Sequence, residues 1–162
     1  MLQLDLDHTF VTSDHHFGSW QLPKPFAVFS QAEEKELINK WNQVVGKDDI
    51  VLYNGDFHDC SVMMLFDYVS KLNGQIVLVK GNHDSLPDEL YKAVFKDVVE
   101  SLTVNGILIH HCPKKRCSQK EIYGHVHRCE LEDFKRDKSF CSCVQFHDGY
   151  PVKLASIIEE LR

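Results

Sequence analysis

Three strand-like segments, each followed within three residues by Asp, His or Asn, constrain this chain more than any other feature of its sequence. The segments cover residues 9–13, 50–53 and 75–79, and all three are rich in β-branched or apolar side chains. Short runs of this kind, bounded by Gly and polar residues, are typical of buried strands. The residues that follow them are Asp14-His15-His16, Asn54-Gly55-Asp56 and Gly81-Asn82-His83-Asp84. The pattern predicts three strands whose polar ends can form one site.

Helices are predicted between these strands and at the end of the chain. Ser30 and Glu33 form a capping box before a run of apolar residues at helical spacing. A second helix is predicted over roughly residues 60–72 and a last one over about 154–161. Strands that alternate with helices favour an α/β architecture, in which ligands bind beyond the carboxyl ends of the strands.

The second half of the sequence has a different pattern. Four strand-like segments, residues 98–104, 106–110, 122–124 and 140–146, follow one another with little helical periodicity. They predict a second sheet, more antiparallel than the first. The length, and the absence of a repeat or a linker in the sequence, predict one domain over residues 1–162.

Two later segments also carry residue types that bind metals, His110-His111 and Gly124-His125-Val126-His127. In an extended segment, residues two apart project to the same face. Asp14 with His16, and His125 with His127, could therefore each present a pair of ligands to one point. A single Asp or His at a strand end is more often a turn or cap residue. Five such segments in one chain favour a metal site instead.

Glycine stands directly before three of the predicted ligands, at Gly55, Gly81 and Gly124. Glycine allows the backbone to turn sharply and to approach an ion without a Cβ clash. Mixed carboxylate, imidazole and amide ligands suit Mn, Fe or Zn rather than calcium. The sequence leaves open which of these metals is bound.

The ordered set of motifs resembles the calcineurin-like metallophosphoesterase superfamily, whose signature is D-x-H, G-D, G-N-H-[DE], H and G-H-x-H. The resemblance covers residues 14–127. It is closest to small stand-alone prokaryotic and phage members, through residues 12–18, 55–57 and 150–152. It implies an α/β/β/α sandwich, in which two packed mixed β-sheets are flanked by helices.

The resemblance also implies a role for each motif residue. Asp56 would bridge two divalent metal ions, His83 would face the substrate as an acid or phosphate-binding group, and Asp84 would be structural. The ligands implied for one ion are Asp14, His16, Asp56 and His127, and those implied for the other are Asp56, Asn82, His111 and His125.

Several histidines have alternative interpretations. Either His110 or His111 could be the ligand of the fourth motif, and His111 is favoured because the family ligand commonly stands one residue before an x-Pro step. His110 would then point to the opposite face of the strand. His58, two residues after Asp56, is predicted to be a substrate-binding group.

The six cysteines, the charge and the N-terminus constrain the setting of the protein. The acidic start, Met1-Leu-Gln-Leu-Asp5, does not resemble a signal peptide, so a cytoplasmic location with reduced thiols is expected. A separate zinc site at Cys141-x-Cys143 is the less favoured alternative. The formal net charge of −6 argues against a protein that mainly grips nucleic acid. The basic residues 114–116 either steer an anionic substrate or form a solvated loop.

These observations predict a metallophosphoesterase that hydrolyses small phosphodiesters or nucleotide-type esters, with a hydroxide bridging the two metals as nucleophile. Phosphoprotein phosphatases of the superfamily carry Asp-Arg-Gly after the second motif, whereas residues 57–60 here read Phe-His-Asp-Cys, which disfavours a protein substrate. The expected partner is a small phosphate ester or nucleotide, with no membrane. A nuclease acting on single-stranded or terminal nucleic acid is the alternative. A non-catalytic scaffold is disfavoured because Asp56, Asn82 and His83 are intact.

Overall fold

Two β-sheets form the centre of the molecule in the computed structural model, which describes residues 4–24, 26–113, 118–127 and 137–162. The strands of the described residues are, in chain order, β1 (Thr9–Thr12), β2 (Ile50–Tyr53), β3 (Gln75–Val79), β4 (Asp97–Val99), β5 (Leu102–Val104), β6 (Ile107–His110), β7 (Glu121–Tyr123), β8 (Ser139–Cys141) and β9 (Val152–Lys153).

The first sheet has the strand order β4-β3-β2-β1-β9. Its first four strands are parallel, and β9 runs antiparallel to β1. Thr12 lies beside Tyr53 and Tyr53 beside Leu78, so β1, β2 and β3 end at nearly the same level. The residues that follow these strands therefore leave the sheet at one edge.

The second sheet has the order β5-β6-β7-β8. Strands β5 and β6 are antiparallel, whereas β6, β7 and β8 are parallel to one another. The prediction of a more antiparallel second sheet therefore holds only for the β5–β6 pair. The parallel pairs bring the ends of β6 and β7 together, since His110 lies beside Tyr123.

The helices of the described residues are α1 (Gln31–Val44), α2 (Val62–Lys71), α3 (Asp88–Lys92) and α4 (Leu154–Glu160). The predicted capping box at the start of α1 is confirmed, because the Ser30 side chain accepts from the Glu33 amide and the Glu33 side chain accepts from the Ser30 amide. Ser61 caps α2. No helix in the described part of the chain is long and apolar enough to cross a membrane.

The hydrophobic core has two parts, one on each face of the first sheet. On one face, Phe10 and Tyr53 pack with Trp41 of α1 and Leu65 of α2. On the other face, a second cluster joins the two sheets and α4, and its fully buried members include Leu52, Ile109, Ile122 and Leu154. The fold is therefore two mixed sheets flanked by helices, as the resemblance implies.

Four parts of the fold differ from the prediction. Residues 98–104 do not form one strand, because β4 ends the first sheet and β5 begins the second. The segment 140–146 is strand only to Cys141 and continues as a 3-10 helix over Val144–Phe146. Helix α3 and strand β9, of five and two residues, are too short to show a hydrophobic period and were not predicted.

Candidate metal centre

The predicted ligands come together where the carboxyl ends of strands from both sheets meet. Each ligand lies one to four residues beyond the end of a strand. The first sheet supplies them after β1, β2 and β3, and the second sheet supplies them after β6 and β7. In chain order they are Asp14, His16, Asp56, Asn82, His111, His125 and His127.

The backbone at four of these residues is in the left-handed region. The φ angles are 61° at Asp14, 46° at His16, 56° at Asp56 and 68° at His125. The ligand spacing predicted extended segments, but the structure has sharp turns at these residues. Residues other than glycine rarely adopt positive φ, and such residues cluster at functional sites where surrounding contacts hold them. The ligand loops are therefore held by tertiary contacts rather than by local preference.

One group of ligands, called here the first half-site, consists of Asp14, His16 and His127, whose donor atoms all lie within 4.8 Å of one another. Asp14 is fully buried and accepts hydrogen bonds from the His125 amide, at 3.0 Å, and from the Ser13 hydroxyl. His16 Nε2 is buried and has no hydrogen-bond partner among the described residues. Buried polar atoms are nearly always partnered, so this nitrogen fits a metal ligand.

The second half-site consists of Asn82, His111 and His125. Asn82 Oδ1 lies 3.1 Å from His111 Nε2 and 2.8 Å from His125 Nδ1. His111 Nδ1 lies 2.8 Å from the Asn54 carbonyl oxygen, which orients Nε2 towards the site. Asp56 lies between the half-sites, because its Oδ2 is 3.2 Å from His111 Nε2 and 3.6 Å from His16 Nε2.

The buried carboxylates make this centre attractive to cations. Burial alone would lower the pKa of His111, but its hydrogen bond to Asp56 and the charges of Asp14 and Asp56 raise that pKa to about 9. Burial opposes ionisation of Asp56, yet contacts with His111 and the His83 amide hold its pKa at about 2. A site that stabilises protons on buried imidazoles can equally stabilise a divalent ion that replaces those protons.

Asp84 holds the two loops that carry Asp56 and Asn82. Its carboxylate, 2% exposed, accepts hydrogen bonds from the amides of Asp56, Phe57 and Gly81 at 2.8–3.0 Å. This arrangement agrees with the structural role predicted for Asp84. It fixes the loop after β2 against the loop after β3.

Asp59 is a residue that sequence reasoning missed. Its Oδ2 lies 2.7 Å from His16 Nδ1, and its Oδ1 lies 2.7 Å from His83 Nδ1. Burial would raise the pKa of Asp59, but the contacts with His16 and His83 lower it. The only signal in the sequence was an acid three residues after Asp56. Asp59 therefore joins the first half-site to the histidine predicted to face the substrate.

His83 borders a cavity of about 420 Å³ next to the half-sites. Its side chain is 45% exposed, and its ring centroid lies 4.8 Å from that of His16. His58 also lines this cavity, but it is buried, with Nε2 3.1 Å from the Tyr91 hydroxyl and Nδ1 3.2 Å from the Cys60 carbonyl. Substrate binding by His58 stays a prediction.

His110 points away from the centre, as strand alternation predicts. Its Nε2 lies 2.8 Å from Glu121 Oε2 on the neighbouring strand β7. Among the described residues, Cys141 and Cys143 belong to no group with metal-binding geometry. The described cysteines, Cys60, Cys112, Cys141 and Cys143, are free thiols. Cys117, Cys129 and the basic residues 114–116 lie outside the described residues.

Comparison with known sequences identifies a family whose profile matches most of the chain. The profile of the calcineurin-like phosphoesterase family matches residues 8–141. The "Uncharacterized protein MJ1445" of Methanocaldococcus jannaschii is 29% identical over 93% of this chain and 89% of its own length. The "Gene 66 protein" of Mycobacterium phage L5 is 33% identical over 49% of this chain and 41% of its own length.

Two solved structures share the fold. A protein of unknown function from Aquifex aeolicus, AQ665, superimposes with a TM-score of 0.71 over 93% of this chain and 97% of its own, at 22% identity. The nuclease MPE of Pseudomonas putida superimposes with a TM-score of 0.52 over 75% of this chain and 61% of its own, at 20% identity. At these identities, the likeness concerns the fold alone.

Proposed function

Because the chain belongs to the calcineurin-like phosphoesterase family, we propose that it is a metal-dependent hydrolase of small phosphodiesters or nucleotide-type esters. The observation that carries this proposal is the position of Asp56. Its Oδ2 lies within 3.6 Å of imidazole nitrogens from both half-sites, so one carboxylate can serve two ions. A single structural ion would need only one of the half-sites.

The first half-site with Asp56 would hold one divalent ion, and the second half-site with Asp56 would hold the other. Carboxylate, imidazole and amide donors suit Mn, Fe or Zn. When bound, such ions can lower the pKa of water to about 7 and neutralise charge on the phosphoryl oxygens. Asp56 would be a ligand of both ions, and Asp84 holds the loops that carry Asp56 and Asn82 in place.

His83 is the proposed proton donor to the leaving oxygen. With Nδ1 donating to Asp59 at 2.7 Å, Nε2 is the nitrogen left for the substrate. The ring is partly exposed at the wall of the cavity, so a substrate can reach it. An exposed His83 imidazole held by the mostly buried Asp59 carboxylate favours an active enzyme over a scaffold without activity.

The cavity beside His83 is the proposed place of the leaving group. Leu22 and Leu86 give it an apolar part, and Ser85 gives it a hydroxyl. A volume of about 420 Å³ is within the range of small-molecule sites. These features support a compact organic leaving group, such as a nucleoside, rather than a protein surface.

A nuclease acting on single-stranded or terminal nucleic acid is the second candidate. Trp20 is 37% exposed and lines a neighbouring cavity that shares Leu22 with the one beside His83. Exposed aromatic rings can stack on the bases of a single strand. The formal net charge of −6 opposes binding of a long polyanion, so this candidate ranks second.

The test is a panel of nitrophenyl esters, nucleotide diesters, cyclic nucleotides and single-stranded oligonucleotides, assayed with Mn and Zn on wild type and His83→Ala. Wild type should cleave the small esters, and His83→Ala should lose about 10²–10⁴-fold on nucleotide esters, because alkoxides need a proton to leave. Nitrophenyl esters should suffer much less. Cleavage of oligonucleotides alone would favour the nuclease, and no cleavage of any ester with either metal would refute the proposal.

A further inference from the structure

Cys112 is the residue directly after His111, and it is not part of the family signature. The residue is exposed and its thiol is free. Its Sγ lies 3.9 Å from Asn82 Oδ1, on the side of the second half-site. The donor atoms of His111, Cys112 and His125 all lie within 4.8 Å of one another.

Asn82 Oδ1 and the three donor atoms near it have separations close to those of ligands on one ion, which Asp56 would join as a further ligand. Oδ1 lies 3.1 Å from His111 Nε2, 2.8 Å from His125 Nδ1 and 3.9 Å from Cys112 Sγ. With zinc bonds of about 2.0–2.1 Å to nitrogen and 2.3 Å to sulfur, tetrahedral ligands lie roughly 3.3–3.6 Å apart. The two oxygen–nitrogen distances are shorter than this range and the oxygen–sulfur distance is longer, by about 0.2–0.5 Å, so small side-chain shifts would bring the four atoms onto one ion. The His111 and His125 rings pack edge to face at 82°, with their centroids 5.3 Å apart.

We propose that Cys112 is an additional, thiolate ligand of the ion held by the second half-site. The proposal rests on the function proposed above, because it assumes that this half-site binds a metal. As the sulfur–metal bond forms, the thiol gives its proton to solvent, and the metal keeps its oxidation state. The two half-sites then differ in chemistry, since only the second contains sulfur.

The consequence is a difference in metal preference between the half-sites. Thiolate ligands favour zinc and other softer ions, whereas carboxylate-rich sites accept manganese. The second half-site should therefore bind zinc or cobalt ahead of manganese. The first half-site, with Asp14, His16 and His127, has no cysteine among its described neighbours within ligand distance.

Cobalt substitution tests the proposal without relying on activity. Metal-free wild type, Cys112→Ser and the control Cys141→Ser are each titrated with Co²⁺ while absorption is recorded. Wild type and Cys141→Ser should develop a thiolate-to-cobalt charge-transfer band in the near ultraviolet, and Cys112→Ser should lack it. Loss of an outer-shell partner typically lowers metal affinity about 10–100-fold, and loss of Cys112 should lower zinc affinity at least as much.

The outcomes separate this proposal from the proposed function. Uptake of two cobalt ions by wild type without a charge-transfer band would overturn thiolate ligation and leave the phosphoesterase proposal intact. An unchanged band and zinc affinity in Cys112→Ser would also overturn it. No cobalt uptake by wild type would overturn both. Because Cys112 is exposed, Cys112→Ser is expected to fold, and circular dichroism checks this.

Discussion

A single carboxylate, Asp59, connects a histidine predicted to bind metal with the histidine predicted to donate a proton. Its two oxygens each lie 2.7 Å from an imidazole Nδ1, on His16 and on His83. A carboxylate on the far nitrogen of a metal-binding histidine fixes the ring and increases its basicity. The same contact on His83 would hold its other nitrogen towards the substrate. Under the proposed function, Asp59 would be a positioning residue both for metal binding by His16 and for proton donation by His83.

Replacing Asp59 by Asn should therefore impair both functions at once. Metal affinity should fall by about 10–100-fold, as is typical when an outer-shell partner is lost. With metal restored to saturation, the rate on nucleotide esters should fall more than the rate on nitrophenyl esters, because His83 is no longer held. The measurement is kcat against leaving-group pKa at saturating metal.

Asp67→Asn is the matched control, because Asp67 is an exposed acid of α2 paired with Lys71. It should leave both the metal affinity and the leaving-group dependence at their wild-type values. An equal loss on both ester types in saturated Asp59→Asn would mean that Asp59 acts on stability alone, against its positioning role.

The role of Asp59 could not be predicted from the sequence. The ligand types could be read from short motifs, since each motif places its residues within a few positions. Asp59 lies 43 residues from His16 and 24 residues from His83, so only the fold brings the three together. The left-handed backbone at Asp14, His16, Asp56 and His125 was also not predictable, because tertiary contacts hold it.

At the scale of elements, the site depends on how closely the loops after β2 and β3 approach. Gly81 lies so near Asp56 that an added Cβ would be 2.2 Å from Asp56 Oδ1 and 2.4 Å from its amide nitrogen. The requirement here is space rather than a positive φ. The sequence predicted a close approach at this glycine, but to an ion, whereas the structure places Asp56 there.

Gly81→Ala should push Asp56 out of position. Overpacking of this kind typically costs about 1–3 kcal/mol of unfolding free energy, and the displaced carboxylate should weaken binding of both ions. Denaturant unfolding and metal titration measure the two effects. Gly46→Ala is the control, since its Cβ would meet only the flexible Asp49 side chain, at 3.2 Å. Equal metal affinity in both variants would contradict the packing argument.

Hydrophobic patterns located most of the strands but did not show which sheet each strand joins. The first three strands were predicted to within one residue and the start of α1 from its cap, because each combines a clear pattern with a cap or a polar end. The segment 98–104 was not resolved into β4 and β5, since alternation along a strand does not reveal which sheet the strand joins. That assignment depends on pairing partners distant in sequence.

In the whole molecule, each sheet supplies part of the ligand set. The first sheet positions Asp14, His16, Asp56 and Asn82, whereas His111, His125 and His127 follow strands of the second sheet. The hydrophobic cluster between the sheets therefore aligns both half-sites. A metal ion that binds only the folded protein stabilises the folded state, so divalent metal should stabilise the packing of the two sheets.

Metal analysis combined with hydrolysis by Asp56→Asn tests the central claim most directly, because Asp56 is the one side chain proposed to serve both ions. Wild type should contain about two divalent ions per chain and cleave small phosphate esters. Asp56→Asn should retain fewer ions and show no activity on any substrate of the panel, while circular dichroism confirms its fold. Full activity of Asp56→Asn, or two ions bound as tightly as in wild type, would contradict the account.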